Sequence, residues 1–366
     1  MTTHFADDVA EFAEAAMTAD YTKLRRVGQR IAAALGGDHA EAARRVRLAI
    51  GKKGVPLQAA GFTETLPVDG KSRLPLVEEH AWPAVPCMLP ETARTTFQAF
   101  MEDSVHHDLL AKKGIASKLS LMLSGPPGTG KTLLAGHVAA QMRKKLYVVR
   151  LDSLISSMLG DTAKNVRAIF DFVAGKDAVL FLDELDAIAK VRDDRNELGE
   201  LKRVVNTVIQ GIDSLEDRTV LLAATNHPQM LDPAIWRRFS YQIHLGCPDT
   251  DLRQALWTYF LGDDPGFSDD AKTLSILSDK ATGADIQRLA LAARRRAVIR
   301  GEGIDFLELA IQTIDLGREG LLSTGKEADM RRKVAAILVQ KHGIAQSEVA
   351  RFLKVSRQSV SSYLKG

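Results

Sequence analysis

The chain has 366 residues, 45% of them hydrophobic and 26% charged, so it can fold into about two or three globular domains with buried cores. Its longest apolar runs, such as residues 178–182, are far shorter than the ~20 residues that cross a bilayer, and residues 1–8 lack a secretory pattern. These features argue against a membrane-spanning protein, and we expect a cytoplasmic one with no membrane partner.

Charge is distributed unevenly along the chain. The formal net charge is +3, but residues 330–366 hold eight Lys and Arg residues against one acid, Glu348, and so carry +7. Only this segment has the charge expected for sequence-independent attraction to a polyanion. The two cysteines, Cys87 and Cys247, lack the spacing of a metal site, and we expect reduced thiols.

Two segments precede the central part of the chain. Residues 1–54 repeat apolar side chains such as Phe5, Val9 and Phe12 at helical spacing, which predicts an amino-terminal helical bundle. Residues 55–88 are rich in proline and show little periodicity, as is typical of a linker.

The central part alternates helical patterns with short apolar runs, and the part after it looks entirely helical. Apolar strands separated by helices form parallel sheets covered on both faces, so we predict an α/β fold. The predicted strands are residues 119–124, 146–151, 178–183, 219–225 and 241–246. The predicted domains are an α/β subdomain over 89–248, a helical lid over 249–317, a linker over 318–329 and a helix-turn-helix over 330–366.

The segment "GPPGTGKT", residues 125–132, follows a predicted strand and precedes a predicted helix, the context of a phosphate-binding loop. Its glycines let backbone N–H groups surround phosphate oxygens at a helix amino terminus. Lys131 adds a positive charge for the β and γ phosphates, and the Thr132 hydroxyl can ligate Mg²⁺, so the loop predicts ATP and Mg²⁺ as cofactors. The predicted nucleotide-binding residues are Gly125, Pro126, Pro127, Gly128, Thr129, Gly130, Lys131, Thr132 and Leu133.

Two acids end the apolar run "AVLFLD", at the carboxyl end of a strand, where ligands of parallel sheets bind. Asp183 is the second predicted Mg²⁺ ligand, and Glu184 is predicted to polarise the attacking water. Asn226 follows the next strand and can orient that water. Asp186 has a structural, a subunit-contact or a catalytic role.

The segment "LDPAIWRRF" presents Arg237 and Arg238 with no acidic neighbour in sequence. Arginines of this kind neutralise the charge that develops on the γ phosphate, often from a neighbouring subunit. We therefore predict a catalytic role for both arginines.

Five separated motifs, "GPPGTGKT", "FLDELDAIA", "VVNTVIQGID", "AATNHPQMLDPAIWRRF" and "TGADIQRL", resemble the narrow-sense AAA ATPases in order and spacing over about residues 88–316. The compact "AIWRRF" resembles the branch of spastin, katanin and the ESCRT disassembly ATPases. The core is closer still to bacterial single-ring AAA proteins often found beside subtilisin-like proteases.

The resemblance implies roles for particular residues. Asn226 matches the first sensor, Arg237 and Arg238 match paired arginine fingers, and Gly283 and Ala284 match lid residues that pack on the adenine and ribose. Arginine fingers that act in trans imply a homo-hexamer. The subtilisin-like proteases often found beside the similar bacterial proteins imply such a protease as a partner.

The family pattern is incomplete at two positions. No second-sensor arginine stands at the usual place, and Arg288 is a weak substitute. Many protein-threading members carry an aromatic, an aliphatic and a glycine residue in the pore loop, where this chain has Met158, Leu159 and Gly160. Methionine can contact an unfolded chain. The alternative is a loop residue with no substrate contact.

The last 35 residues or so resemble a helix-turn-helix domain, with Ser356 as a natural N-cap for the final helix. Lys354 departs from the pattern, because such turns place glycine there for a left-handed backbone. The predicted base-contacting residues are Arg357, Gln358, Ser361 and Ser362, and the predicted phosphate-contacting residues are Lys354 and Lys365. The alternative is a three-helix module that packs on the ring or binds protein.

Three functions follow from these features. The leading hypothesis is a ring-forming ATPase that remodels a protein client and is tethered to DNA by its tail. The second is an ATPase that acts on DNA itself, and the third is a transcriptional regulator whose ATPase serves as a switch.

Overall fold

A computed structural model gives the fold of residues 8–12, 21–35, 39, 41–44, 46, 66–157, 162–190, 198–216, 218–262, 264, 266–316 and 327–365. The chain divides into two units, Met1–Thr65 and Leu66–Gly366, which are described separately. None of the helices in these ranges has both the length and the apolarity that a membrane span requires.

The first unit is helical in its described parts. Helix α1, Tyr21–Ala34, buries Val27 and Ile31. Shorter helical segments occupy residues 8–12 and 41–44. The predicted amino-terminal bundle as a whole extends beyond the described residues and stays a prediction.

The second unit is built on a six-stranded sheet. Its strands are β1 (Glu78–His80), β2 (Ser120–Ser124), β3 (Lys145–Arg150), β4 (Ala178–Asp183), β5 (Val220–Thr225) and β6 (Tyr241–His244). They lie in the order β1-β3-β4-β5-β2-β6, and all neighbouring pairs are parallel except β1 with β3. The α/β fold class and the five predicted strands are confirmed.

Helices surround the sheet and continue beyond it. They are α2 (Glu91–Val105), α3 (His107–Lys112), α4 (Lys131–Met142), α5 (Leu151–Ser157), α6 (Thr162–Val173), α7 (Ala187–Lys190), α8 (Leu198–Ser214), α9 (Pro233–Trp236), α10 (Thr250–Leu261), α11 (Phe267–Leu277), α12 (Gly283–Arg300), α13 (Phe306–Ile314), α14 (Glu327–Ala336), α15 (Gln346–Phe352) and α16 (Arg357–Lys365). A π-helical turn, Ile337–Lys341, follows α14.

Strand β4 explains why the apolar runs form a sheet covered on both faces. Successive side chains of a strand point to opposite faces. Leu180 and Leu182 belong to a core shared with α6 and α8, whereas Val179 and Phe181 belong to a core shared with α2 and α4. A strand buried on both faces reads as a continuous apolar run, which is how the sequence revealed it.

Strand β1 lies within the segment predicted to be a linker. It pairs antiparallel with β3 at the sheet edge, and Glu79 lies opposite Tyr147. Its sequence, "EEH", has no apolar residue, which suits a short edge strand that is mostly exposed. Nearby, the Trp82 indole N–H donates to the Lys144 carbonyl oxygen at 3.0 Å, which fixes the segment to the turn before β3.

We call helices α10 to α13 the lid and helices α14 to α16 the tail, and the two share one apolar core. Trp257 and Leu309 of the lid pack in one continuous cluster with Val334 and Val360 of the tail. The Phe352 ring lies 5.8 Å from the ring of Phe306 on α13. This shared core makes the tail an extension of the lid, and it favours the alternative of a three-helix module that packs on the rest of the protein.

We predict that Phe352→Ala destabilises the lid as well as the tail, because Phe352 is 2% exposed within their common core. Removing such a ring costs about 3–5 kcal/mol. In a background that carries Trp82→Phe and Trp236→Phe, urea unfolding followed by the fluorescence of Trp257 in the lid should shift to lower urea concentration. The matched control Ser362→Ala, on the exposed face of α16, should change stability by less than about 0.5 kcal/mol. An unchanged lid transition in Phe352→Ala would show that the lid does not depend on the tail.

Candidate functional site

The phosphate-binding loop connects β2 to α4 at the carboxyl edge of the sheet. Gly125, Gly128 and Gly130 have φ angles of +140°, +78° and +96°, which place them in backbone regions that L side chains rarely adopt. At Gly125 an added Cβ would lie 2.0 Å from the Leu245 carbonyl oxygen, so glycine is required there by contact as well as by conformation. Helix α4 begins directly after Gly130 and points its free N–H groups into the loop.

Lys131 is held inside this loop. Its Nζ donates to the carbonyl oxygens of Gly125 and Pro126, both at 2.8 Å, and the side chain is buried. Burial lowers the pKa of Lys131, and the acids across the site, Asp183 foremost, oppose that shift. The ammonium group is thus held at the loop by neutral carbonyl oxygens, and a bound phosphate would give it a negatively charged partner.

The predicted magnesium ligands lie next to each other. The Thr132 hydroxyl donates to Asp183 Oδ2 at 3.1 Å, although 51 residues separate the two in sequence. Asp183 Oδ1 accepts from the backbone N–H of Glu184 at 2.9 Å, which fixes the orientation of the carboxylate. A hydroxyl beside a carboxylate is the oxygen donor set that Mg²⁺ uses in nucleotide sites, so these residues fit the cation.

Glu184 has the environment of a general base. Its φ is +55°, an uncommon backbone conformation for a glutamate. Burial raises the pKa of Glu184, and the nearby carboxylates of Asp152 and Asp183 raise it further. Asp152, in the first turn of α5, is a site residue that sequence reasoning missed. Only the pairing of β3 beside β4, with Arg150 opposite Asp183, places it here, and the sequence did not reveal that order.

Asn226 follows β5 and faces the same cavity. Its side-chain Oδ1 is buried and finds no hydrogen-bond partner among the described residues, so it is available to a bound molecule. Its backbone N–H donates to Asp186 Oδ1 at 3.0 Å, and that oxygen also accepts from the Thr225 hydroxyl at 3.0 Å. Asp186 is fully buried, and these contacts favour its structural role.

These groups open into a cavity of about 500 Å³. The lid closes one side of it, where the Ala284 backbone N–H donates to the Gly128 carbonyl oxygen at 3.1 Å. Gly283 and Ala284, both predicted lid residues, line the cavity, as do the apolar side chains of Leu256 and Phe260. The cavity therefore joins an apolar region to a phosphate loop and a cation site, as ATP with Mg²⁺ requires.

Residues 85–90, at the end of the predicted linker, form another wall of the cavity and were not expected there. They are fixed by the His137 ring, whose Nε2 lies 2.8 Å from the Val85 carbonyl oxygen. Burial raises the pKa of the Cys87 thiol in this wall to about 11, which agrees with an unreactive cysteine.

The predicted arginines lie outside their own cavity. Neither Arg237 nor Arg238 lines it, and Arg237 is exposed. Arg238 binds Asp213 with two hydrogen bonds, of 3.1 and 3.0 Å. Arg288 is also absent from the cavity wall and pairs with Asp285 at 3.4 Å, so the structure gives no support to it as a second sensor.

The predicted pore residues, Met158 and Leu159, lie outside the described residues.

The predicted DNA-contacting residues lie on the tail and are exposed except Ser361, which is half-buried: Lys354, Arg357, Gln358, Ser361, Ser362 and Lys365. Ser356 caps α16, because its hydroxyl accepts from the Ser359 backbone N–H at 3.0 Å.

Lys354 has the left-handed backbone that the turn was expected to need, with φ of +53°. Its neighbour Arg351 forms an ion pair with Asp269 of the lid at 2.5 Å. Burial raises the pKa of Asp270, and the positive charges of Arg351 and Lys354 oppose that rise. Part of the tail's positive charge is therefore balanced by lid acids.

We predict that Gly125→Ala prevents nucleotide binding, because its Cβ would overlap the Leu245 carbonyl and the backbone would be strained. Strain at such a φ costs about 1–3 kcal/mol and the overlap costs about 1–3 kcal/mol more. Gly114→Ala is the matched control, since Gly114 has φ of +70° and open space around it. Titration with a fluorescent ATP analogue should show normal affinity for Gly114→Ala. Normal affinity in Gly125→Ala would contradict the close approach of the loop to Leu245.

Comparison with known proteins points to one family. Residues 121–247 match the family described as "ATPase family associated with various cellular activities (AAA)". An uncharacterized AAA family ATPase of Sinorhizobium fredii is 43% identical over 145 residues, which cover 40% of this chain and 44% of that protein.

Two further relatives, among those with functional names, cover similar parts of the chain. The proteasome-activating nucleotidase of Methanococcus vannielii is 32% identical over 235 residues, 62% of this chain and 56% of the relative. The vacuolar protein sorting-associated protein 4 of Dictyostelium discoideum is 33% identical over 174 residues, 46% of this chain and 39% of the relative. The chain thus spans between 39% and 56% of the length of these three relatives.

Proposed function

We propose that this chain, whose residues 121–247 form an ATPase domain of the AAA family, hydrolyses ATP in a homo-hexameric ring and uses the energy to remodel a protein client. The observation that carries the proposal is one cavity in which Lys131, Asp183, Glu184 and Asn226 meet. The narrower likeness to the spastin and katanin branch stays part of the proposal.

Each residue of the cavity has a role in this reaction. The loop N–H groups and Lys131 bind the phosphates, and Thr132 and Asp183 hold Mg²⁺, which when bound neutralises phosphate charge. Glu184 accepts a proton from the attacking water, a task that its raised pKa favours. Asn226 turns its free Oδ1 or its amide N–H toward that water.

The position of the arginines supports the proposed assembly. A site that needs a guanidinium at the γ phosphate cannot obtain it from Arg237 or Arg238 of its own chain, because neither lines the cavity. A second copy can supply it through a head-to-tail contact, and such contacts close into rings. Six copies are proposed from the family resemblance.

A protein is the proposed client because of the relatives. One relative is named for activating proteasomes and another for vacuolar protein sorting. We propose that Met158 and Leu159 line the ring's channel and that a subtilisin-like protease acts with the ring. Methionine offers an adaptable apolar contact to an unfolded chain.

The proposed role of the tail is to bind DNA. Helix α16 is capped by Ser356 and exposes Arg357, Gln358 and Ser362, residues that can reach base edges. Lys354 and Lys365 would contact phosphates, and the charge of Lys354 also lowers the pKa of Asp270 against the effect of burial. Because the tail shares the lid core, DNA bound there would be attached directly to the ATPase.

A second candidate is an ATPase that acts on DNA, or an ATP-switched regulator, and the exposed Arg357 and Lys365 of α16 favour it. The pairing of Arg288 with Asp285 argues against the version that needs a second-sensor arginine.

The two candidates are separated by what a hydrolysis-deficient ring retains. Glu184→Gln should bind ATP, form stable rings and retain a protein client, which mass spectrometry of the purified complex would identify. Lys131→Ala, which cannot bind ATP, is the control and should retain nothing. Material that is consistently nucleic acid, and that survives nuclease only inside the ring, would favour the second candidate.

Action in trans is tested by mixing two inactive variants. Arg237→Ala lacks the arginine and Glu184→Gln lacks the base, so each should hydrolyse ATP at least about 100-fold more slowly than wild type. In mixed rings a Glu184 site can receive Arg237 from its neighbour, and activity should return. A mixture as inactive as its parts would argue that Arg237 does not act across subunits.

DNA binding by the tail is tested through its salt dependence, measured by fluorescence anisotropy with duplex DNA. If Lys365 contacts a phosphate, Lys365→Ala should lower the slope of log affinity against log salt by about 0.9 per module. Arg357→Ala should weaken the free energy of binding to a preferred DNA site by about 1–3 kcal/mol. Lys112→Ala, an exposed lysine outside the tail, is the control. Unchanged binding in both tail variants would argue against DNA contact by α16.

A further inference from the structure

Two adjacent arginines at the end of α9 have different surroundings. The Arg238 guanidinium uses Nε and Nη2 to bind both carboxylate oxygens of Asp213, at 3.1 and 3.0 Å, and Nη1 to bind the Ala234 carbonyl oxygen at 2.6 Å. Arg237 is exposed, and no hydrogen bond or ion pair of its guanidinium is found within the described part of the chain.

Asp213 is itself fixed in the last turn of α8. Lys118 Nζ donates to the carbonyl oxygen of Asp213 at 2.8 Å, which ties the end of the helix to the strand entering the sheet. The Arg238 carbonyl oxygen accepts from the Ser120 hydroxyl at 2.9 Å, and that hydroxyl accepts from the Ser240 N–H at 3.0 Å. The Asp213–Arg238 pair therefore joins α8, α9 and the start of β2 within one chain.

We propose that Asp213 is a positioning residue that gives the two arginines different roles. It holds Arg238 on its own subunit, and this clamp presents Arg237 alone to the triphosphate in the neighbouring copy. The inference rests on the proposed ring ATPase and departs from the expectation that both arginines act as fingers.

The hydrogen-bond geometry of Arg238 supports these different roles. A guanidinium bound to a carboxylate through two parallel hydrogen bonds is charge-assisted and directional, and Arg238 has all three of its nitrogens engaged. To reach a phosphate it would have to leave both Asp213 and Ala234. Helix α9 has only four residues, and the clamp acts on the Arg238 side chain directly after it, where a misplacement of about 1 Å can cost 100-fold in rate.

Charge reversal of the Asp213–Arg238 pair tests whether Arg238 is held by Asp213 or contacts the phosphate of a neighbouring copy. The single variants Asp213→Arg and Arg238→Asp break the pair, and each should lower kcat for ATP hydrolysis at least about tenfold with little change in KM. The double variant restores an opposite-charge pair in reverse, and an arginine at position 213 suits the carboxyl end of α8. Its kcat should return to within about threefold of wild type, whereas it should not rescue Arg237→Ala.

A double variant as inactive as Arg238→Asp would overturn the inference, since Arg238 would then have to touch the phosphate. Wild-type kcat in both single variants would also overturn it, because Asp213 would have no positioning role. If charge reversal lowers the melting temperature, the cycle of Asp213→Asn and Arg238→Gln replaces it. A clamp then predicts that the double variant loses no more than either single variant, and a finger predicts that the losses multiply.

The wild-type chain distinguishes this inference from the proposed function. Absence of ATP hydrolysis by the wild-type chain would overturn the proposed function and this inference together. Hydrolysis by the wild type combined with an inactive reversed pair would overturn the inference alone.

Discussion

The candidate site depends on the parallel pairing of β4, β5 and β2, which brings three carboxyl ends to one edge of the sheet. The phosphate loop leaves β2, Asp183 ends β4 and Asn226 follows β5. Hydrogen bonds hold these ends together: the Gly125 N–H donates to the Thr225 carbonyl oxygen at 3.2 Å, and Asp186 receives both Thr225 and Asn226. The relative positions of the residues proposed to bind phosphate and Mg²⁺ are therefore set by strand register.

The lid connects this edge to the tail without a break in packing. One end of the connection is the hydrogen bond from Ala284 to Gly128 of the phosphate loop. The other end is the aromatic series of Phe267, Phe306 and Phe352, whose successive ring centroids are 5.5 and 5.8 Å apart. A tail that shares a core with the lid turns with it, so any partner of the tail is mechanically linked to the nucleotide site. The tail is thus better regarded as part of the ATPase unit than as a module on a flexible tether.

Sequence reasoning predicted the local fold where a short segment determines the conformation. The apolar runs that end in Asp183 and Asn226 had to be buried strands, and "GPPGTGKT" had to turn into a helix amino terminus. It missed features that depend on distant parts of the chain. The charged "EEH" of β1 becomes a strand only because β3 leaves an open edge, and Asp152 reaches Glu184 only through strand order.

The tail and the arginines illustrate the same limit. The apolar faces around Val334 and Phe352 were visible in the sequence, but periodicity does not say which surface covers them. Arg238 had no acidic neighbour in sequence, and its partner Asp213 lies 25 residues away on another helix. In this chain, local patterns indicated the candidate groups for chemistry, and tertiary contacts decided how those groups are held.

The most direct test of the account is a structure of the ATP-bound Glu184→Gln assembly determined by electron microscopy. The distance to measure is from the Arg237 guanidinium of one copy to the γ phosphate bound by Lys131 of the next. The account predicts a hydrogen-bonding distance in a closed ring of identical copies, with Arg238 still bound to Asp213. A nucleotide site with no arginine from a second copy, or one contacted by Arg238 after release from Asp213, would contradict it.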